Sequence, residues 1–599
     1  MKRRSQSSRD RKRAGLARLL TRAAQLLFAA TLLYAGAPAG DDAQLRAMAD
    51  ELARSKTLQL NNLDKPYFIQ YSVGDTEQVL ISASLGGITS SSRGRFRPPD
   101  VQVRVGDYNF DNTNSIYSAT GRFGSLPIDD DYFVFRNQLW IATDTLYKSS
   151  AEQITRKRNA LREIADPDKT PDLGPAKAVE IIKPPVKLAI DQKRWEETLR
   201  HASGRFSGYP DLIDASVRLR AIASTYRLVN SEGTTIRVPQ ELTDIVVRAA
   251  ALAPDGSRVW NHRFITVVRP SQLPAGEELD KIVEGLAAET SELAKAPLEN
   301  DYSGPVLFEQ AAAAQMMASA LTDAVRLHRK PLAPPGANTP QVLESVWAPR
   351  MNAKVMPDWL TVYDDPQQEK FHDIPLAGHY EVDDEGVPAM RVLLVDKGTL
   401  KGFLASRQPV RDFTISNGHG RLPGGSGSEA AVIGNLFVEA DQAVAESQMK
   451  AKLLEKVKAA GLKYGLLIRR IDFPSTASLD ELQSIGRQLQ KSGYARTIAP
   501  ALLAYRVYPD GREELVRGLR FREFSAKDLR DVSAASDRPY VLNYINNGSA
   551  FNYMDLASDA TTSTVVCPSL LFDSIDLARS ENEPSKLPTV AAPSLIAQQ

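Results

Sequence analysis

Val392-Leu-Leu-Val-Asp-Lys-Gly-Thr-Leu400 reads as an apolar run, a turn and a second short run. Two β-like segments joined at Asp396-Lys-Gly398, with glycine free to take positive φ, predict a hairpin. Pro509-Asp-Gly511 repeats the device between Ala501–Tyr508 and Glu514–Arg520. Leu360–Tyr363, Phe403–Leu404, Asn435–Val438 and Tyr464–Ile471 are also β-like, with one helix expected at Gln442–Ala459 between them. Upstream, Pro305–Phe308 reads as a short strand, followed by an alanine-rich helix from Glu309 to Leu327. These segments define a β-rich C-terminal domain over residues 299–575.

The preceding residues alternate helix and strand signals. In Asp41–Ser55, Leu45, Met48 and Leu52 recur at helical spacing. Tyr67–Val73 and Val79–Leu85 are β-rich, and Val101, Val103 and Val105 alternate with polar residues as in a strand buried on one face. Leu139–Leu161 and Glu277–Ala296 read as helices, and Tyr226–Gly233 as a strand entering a turn. Asp166–Pro185, rich in Pro, Asp and Lys, reads as a linker or exposed loop. The expectation is an α+β (mixed α/β) protein with an N-terminal α/β domain at 40–298, a boundary near Pro297–Asp301, and a Pro/Ser-rich tail at 576–599.

The chain of 599 residues has 74 basic and 73 acidic groups, but this balance is uneven along its length. Residues 1–22 carry nine of the basic groups and one acid, Asp10. An apolar run from Ala23 to about Gly36 and the small residues Ala37-Pro38-Ala39 follow. This is a secretory leader, with an apolar core short of the roughly 20 residues that span a bilayer. Removing residues 1–39 leaves a net charge of −7, which excludes a basic nucleic-acid footprint. The expected location is exported, periplasmic or secreted, with membrane contact only through an uncleaved leader.

One cysteine excludes an intramolecular disulfide and any zinc site that needs two thiolates. Cys567 lies in an apolar strand-like run, which raises a thiol pKa and makes it inert. No G-x-S-x-G or P-loop is present, and Gly424-Gly-Ser-Gly427 reads as a loop tip. None of the six histidines forms H-x-H, H-x-x-x-H or H-E-x-x-H. A zinc site would have to be assembled from His372, His379 and His419 with Asp383 or Glu385. Two clusters remain. Asp383, Asp384, Glu385 and Gly386 would bind a cation or accept backbone N–H groups in a turn. Gly418, His419, Gly420 and Arg421 form a loop that lets a peptide backbone come close, beside a sheet edge that would accept a strand.

These clusters, in order, resemble the TldD/PmbA family of metalloprotease-related proteins. Leu360-Thr-Val-Tyr-Asp-Asp365, Asp383-Asp-Glu-Gly386 and Val395–Phe403 are similar to its DD…DDEG…G-x-L-x-G pattern. Asn417-Gly-His-Gly-Arg421, Gly434-Asn-Leu436 and Val229-Asn-Ser-Glu-Gly233 resemble further family segments. The resemblance implies a helix after a strand that carries H-E-x-x-x-H in active members, with a distant cysteine as third zinc ligand. Here the two histidine positions fall on Ala318 and Asp323 and the glutamate position on Ser319; no histidine lies between His262 and His328.

Such residues supply neither imidazole nor a general base. The resemblance is therefore closer to the non-catalytic PmbA (TldE)-like branch, with no cofactor and no catalytic residue. It implies a partner, either a TldD-like catalytic subunit or a second copy, and an unfolded peptide substrate. Asp383, Asp384, Glu385, Gly386, Gly418, His419, Gly420 and Arg421 are the expected peptide-binding residues. The alternatives are an active zinc peptidase with a non-standard ligand set, and a stand-alone binding or scaffold protein.

Overall fold

The computed structural model describes residues 42–60, 63–118, 121–122, 124–165, 167–339, 344–422, 430–473, 498–546 and 561–580. The expected leader, Gly424–Gly427 and residues 581–599 lie outside them.

The chain enters through helix α1 (Ala43–Ser55), started by Asp42, whose carboxylate accepts the N–H of Leu45. Strands β1 (Pro66–Ser84), β2 (Gly87–Phe96) and β3 (Pro99–Val105) follow, then helix α2 (Tyr132–Leu161), capped by Asp131. Helix α3 (Gln192–Gly204) leads to the long strands β4 (Leu212–Asn230) and β5 (Thr235–Leu252), then β6 (Arg258–Val267) and helix α4 (Glu277–Lys295). An eight-stranded sheet has β3–β1–β4–β5 at its centre, with β2 added to β1 and β6 to β5.

The two expected β segments at 67–85 are one strand of 19 residues. Gly74 and Asp75 do not break it, because both pair with Tyr226 and Thr225 of β4; a neighbouring ladder overrides a weak strand former. Helices α1 and α2 cover one part of this sheet through Leu45, Met48, Phe135, Leu139 and Tyr147. Helices α3 and α4 cover another through Leu199, Leu279, Val283 and Leu286.

The stretch expected as a linker is built in. Asp172 and Leu173 are buried, and Glu180–Ile182 pairs in parallel with β5. The polarity read as exposure is answered inside the protein: Lys157 donates to Asp172 at 2.5 Å, and Asn114 donates to its main-chain oxygen at 3.0 Å.

The second half opens with β7 (Tyr302–Phe308) and helix α5 (Ala311–Ala324). Strands β8 (Leu360–Asp364), β9 (Val392–Asp396), β10 (Thr399–Leu400) and β11 (Asn435–Ala440) come next, then helix α6 (Met449–Ala459). The helix expected from Gln442 starts later because Ala443 and Val444 pair with another strand, β15 (Val532–Ser536). Strands β12 (Gly465–Ile471), β13 (Ala501–Val507) and β14 (Leu519–Phe521) precede β15; β16 (Tyr540–Asn546), β17 (Thr561–Cys567) and β18 (Leu570–Arg579) follow it. Strand β18 thus runs beyond residue 575 into the stretch expected as tail.

Two sheets result. One has six strands in the order β10–β9–β8–β11–β17–β16. In the other, β7, β12, β13, β14 and β18 form a closed ring, because β18 pairs both with β14 and with β7. Closure removes the free edges of those strands. The hairpin at Asp396-Lys-Gly398 is as expected: Asp396 pairs with Thr399, and Lys397 and Gly398 take φ of 45° and 75°, the two-residue turn whose twist matches its strands. Helix α5 packs against β12, β16 and β17, between the ring and the six-stranded sheet. The fold is α+β, as the sequence predicts.

Candidate functional site

The turn at Asp383–Gly386 and the loop at Asn417–Arg421 meet in space. Asp383 is buried, and its carboxylate accepts the N–H groups of Glu385 at 3.0 Å, Val387 at 2.8 Å and Gly420 at 2.9 Å. Asp384 donates its N–H to the Gly420 carbonyl at 3.0 Å. Glu385 accepts the N–H of Arg407 at 2.7 Å. Two glycines are required by space. A Cβ at Gly420 would lie 2.1 Å from Glu385 Oε2, and one at Gly418, where φ is 74°, would lie 2.2 Å from the Pro388 carbonyl. Tyr380 donates to the Gly418 carbonyl at 2.9 Å, and the Arg421 guanidinium lies 4.3 Å from the centre of its ring. All eight expected residues therefore come together, and their polar groups are directed largely at one another.

The electrostatics follow from burial. Desolvation pushes the Asp383 carboxyl well up, against three N–H donors that favour its charged form, and the neighbouring Asp384 adds to the rise. Desolvation also pushes Asp384 up to about 6, against the pull of Arg421, whose Nε lies 3.8 Å from Asp384 Oδ2. Tyr226 of β4 donates to the Asp384 carbonyl at 2.8 Å, so the unit also touches the N-terminal sheet.

Two residues that sequence reading did not single out, Asp364 and Arg407, anchor this unit. His419 is fully buried, with Nε2 3.0 Å from Asp364 Oδ1 and Nδ1 3.0 Å from the Asn417 carbonyl. Asp364 also accepts the N–H of Gly434. Its place at the end of β8, in a quoted family segment, was the available signal. Arg407 had none. Its buried guanidinium holds both Glu232 oxygens at 2.7 Å and the Gly174 carbonyl, partners 175 and 233 residues away.

Helix α5 is where the resemblance places zinc ligands. Ala312, Ala313, Ala314, Met316, Met317, Ala318 and Leu321 are all buried. An all-round apolar helix is a core helix. Ala318 shares that core with Cys567, whose thiol pKa burial pushes well up. Ser319 donates to the Gln315 carbonyl at 2.9 Å, and Asp323 accepts Arg326 Nη2 at 2.7 Å. An alanine, a serine tied to its own helix and an arginine-bound aspartate do not fit zinc, which needs three protein ligands and an open position.

The relocated zinc site is not assembled either. His379 Nδ1 lies 2.9 Å from the Pro366 carbonyl, His372 lies against Phe371, and both nitrogens of His419 are engaged as above. Asp383 and Glu385 are held by backbone N–H groups. Among the described residues, no three His, Cys, Asp or Glu side chains are placed to hold a metal ion.

Comparison with known proteins agrees with this architecture. Residues 301–472 match the PmbA/TldA metallopeptidase C-terminal domain. A segment of 75 residues is 36% identical to a metalloprotease of Archaeoglobus fulgidus, covering 12% of this chain and 16% of that one. Among solved structures, a Thermotoga maritima protein described as a candidate modulator of DNA gyrase is similar with a TM-score of 0.56 and 13% identity, over 89% of this chain and 99% of that one. TldE from Thermococcus kodakarensis gives 0.53 and 14%, over 89% and 100%. At such identities these two likenesses show a shared fold. Residues 301–472 thus form a domain of the PmbA/TldA metallopeptidase C-terminal type, and the chain shares the fold of these structures.

Proposed function

We propose that this chain is an exported, catalytically silent member of the family, which binds unfolded peptide and pairs with a catalytic TldD-like subunit in proteolysis. The observation that carries this reading is the donor set of α5. Ala318, Ser319 and Asp323 stand where a zinc-binding helix would present histidine and glutamate, and the surrounding core is alanine, methionine and a buried thiol. Zinc lowers the pKa of a bound water only when it is held with one position open, and no such set exists on this helix. Support for export is the leader pattern of residues 1–39. In this reading the 383–386 and 417–421 segments shape the surface that contacts peptide, since their side chains and much of their main chain are engaged internally.

The test is purification of the chain from its native host under mild conditions, with zinc per chain, associated proteins and the N-terminal mass measured together. The expected result is no stoichiometric zinc on this chain, a co-purifying subunit that carries H-E-x-x-x-H and supplies chelator-sensitive peptidase activity, and a mature N-terminus near Gly40. Peptidase activity with zinc bound to the isolated chain overturns the silent assignment. Isolation as a lone monomer overturns the pairing, and an intact N-terminus overturns cleavage.

A further inference from the structure

The N-terminal sheet has one face under helices and one turned toward the rest of the chain. On β4, Val217, Leu219, Ala221 and Ala223 lie in the core with Leu199 of α3 and Leu279 of α4. The residues between them, with Ser216, Ser224 and Tyr226 on either side, point the opposite way, because strand side chains alternate. That opposite face meets the C-terminal half at two places. Tyr226 donates to the Asp384 carbonyl at 2.8 Å. On β6, Phe264 stacks on Phe473 with ring centres 5.4 Å apart, and His262 Nε2 accepts the Phe473 N–H at 3.2 Å.

Between these contacts the face carries arginines. Arg218 lies opposite Ser82 of β1 and Val246 of β5, and Val246 lies opposite Phe264. Arg218 is therefore two strands, about 10 Å, from the Phe264 contact and roughly 27 Å along β4 from Tyr226. The polar groups around it are engaged. Arg220 Nε donates to Asp244 Oδ1 at 2.7 Å, the Thr76 and Ser224 hydroxyls are 2.9 Å apart, and Arg248 also has a partner. Arg218 is the exception: half-buried, it makes no hydrogen bond or ion pair with any described residue. Desolvation pulls its pKa down, Arg220 and Arg248 add to the fall, and Asp244, already bound to Arg220, opposes it. A guanidinium cannot shed its charge and presents five N–H donors, so at a partly dry position its charge is left uncompensated.

One negative charge would compensate it, and a planar carboxylate matches the guanidinium fork with two parallel hydrogen bonds. We infer that Arg218 is a carboxylate-binding residue on the wall that the N-terminal sheet turns toward the C-terminal half, and that it takes a carboxylate of an extended peptide. The carboxylate comes from the peptide's C-terminal end or from an acidic side chain. This deepens the peptide-binding reading by naming a charge the peptide must carry, and it rests on that reading for the molecule that brings the carboxylate.

The test is calorimetric titration of the full chain, Arg218→Gln and Arg218→Lys with an acetylated peptide of Ala, Ser, Val and Gly. The peptide is used as the free acid, as the C-terminal amide, and as an amide containing one Glu. Arg218 gives up no described partner when replaced, so both variants fold, and unchanged melting without ligand checks this. The expected result is that one or both charged peptides bind about tenfold more tightly than the plain amide. Preference for the free acid assigns the charge to the chain end, and preference for the Glu peptide assigns it to a side chain. Arg218→Gln brings the charged peptides down to the affinity of the amide, and Arg218→Lys keeps part of the preference. Equal binding of all three peptides overturns the inference, as does a preference that survives in Arg218→Gln. If no peptide binds, the peptide-binding reading falls, and N-acetylglycine decides this inference alone. A rise in melting temperature over that with N-acetylglycinamide, lost in Arg218→Gln, upholds the carboxylate site, and no such rise overturns it.

Discussion

Helix α5 and the paired segments at 383–386 and 417–421 hold the two sets of positions that a family reading singles out, and they depart from an active site in opposite ways. On α5 the donor chemistry is absent, and alanine and methionine fill the space as core. In the paired segments the donor chemistry is present, but it faces inward: Asp383 holds three backbone N–H groups and Asp364 holds His419. Polar residues in a family-like pattern are therefore as consistent with wiring as with catalysis, and only their partners tell the two apart.

The comparison is broken most severely at Asp364. Asp364→Ala removes the partner of a buried imidazole and an acceptor of Gly434 N–H, and should cost about 3–5 kcal/mol. Urea unfolding reads it. A loss under about 1 kcal/mol would mean the pair is not structural. Next is Ala318→His, which places a larger polar ring among Met, Ala and Cys567 and should destabilise by about 3 kcal/mol. If zinc restored the lost stability, α5 would be a dormant site rather than core.

A smaller effect concerns pH. Asp384 is raised in the folded state, so between about pH 4 and 6 the native protein holds a proton that the unfolded chain has released. Stability contributed by this group is present below pH 4 and is lost as pH rises through 6, by roughly 2 kcal/mol between pH 4.5 and 6.5. Asp384→Asn should flatten that slope in denaturant titrations at pH 4.5 and 6.5, and an unaltered slope would assign it elsewhere. The smallest effect is at Ser319, whose hydroxyl only bonds the Gln315 carbonyl of its own helix. Ser319→Ala should change the melting free energy by less than about 0.5 kcal/mol and leave the proposed peptide binding intact. A loss of binding without unfolding would give that hydroxyl a role α5 is not expected to have.

What the sequence could show follows from how local the cause is. The Asp396–Gly398 hairpin, the Asp42-capped first helix and the strand–helix order at 302–324 all rest on residues a few positions apart. The ring of five strands was not legible, since pairing Leu571 with Leu307 leaves no local trace. The site was legible in part. Periodicity and glycine placement marked where 383–386 and 417–421 turn, but not that they turn toward each other. Arg407 shows why: its partners, Glu232 and Gly174, lie in the turn between β4 and β5 and in the stretch that composition marks as a linker.

Ring closure also sets an order of events during synthesis. The main-chain N–H of Gln310, just past β7, is bound by Ser569, just before β18, and 259 residues separate them. At about 5–20 residues per second, β7 leaves the ribosome tens of seconds before its final neighbour exists. Through that interval Val306, Leu307 and Phe308, all buried in the finished ring, are without β18. The nascent chain thus has a built-in waiting period, with an apolar strand edge available to any chaperone that binds extended segments.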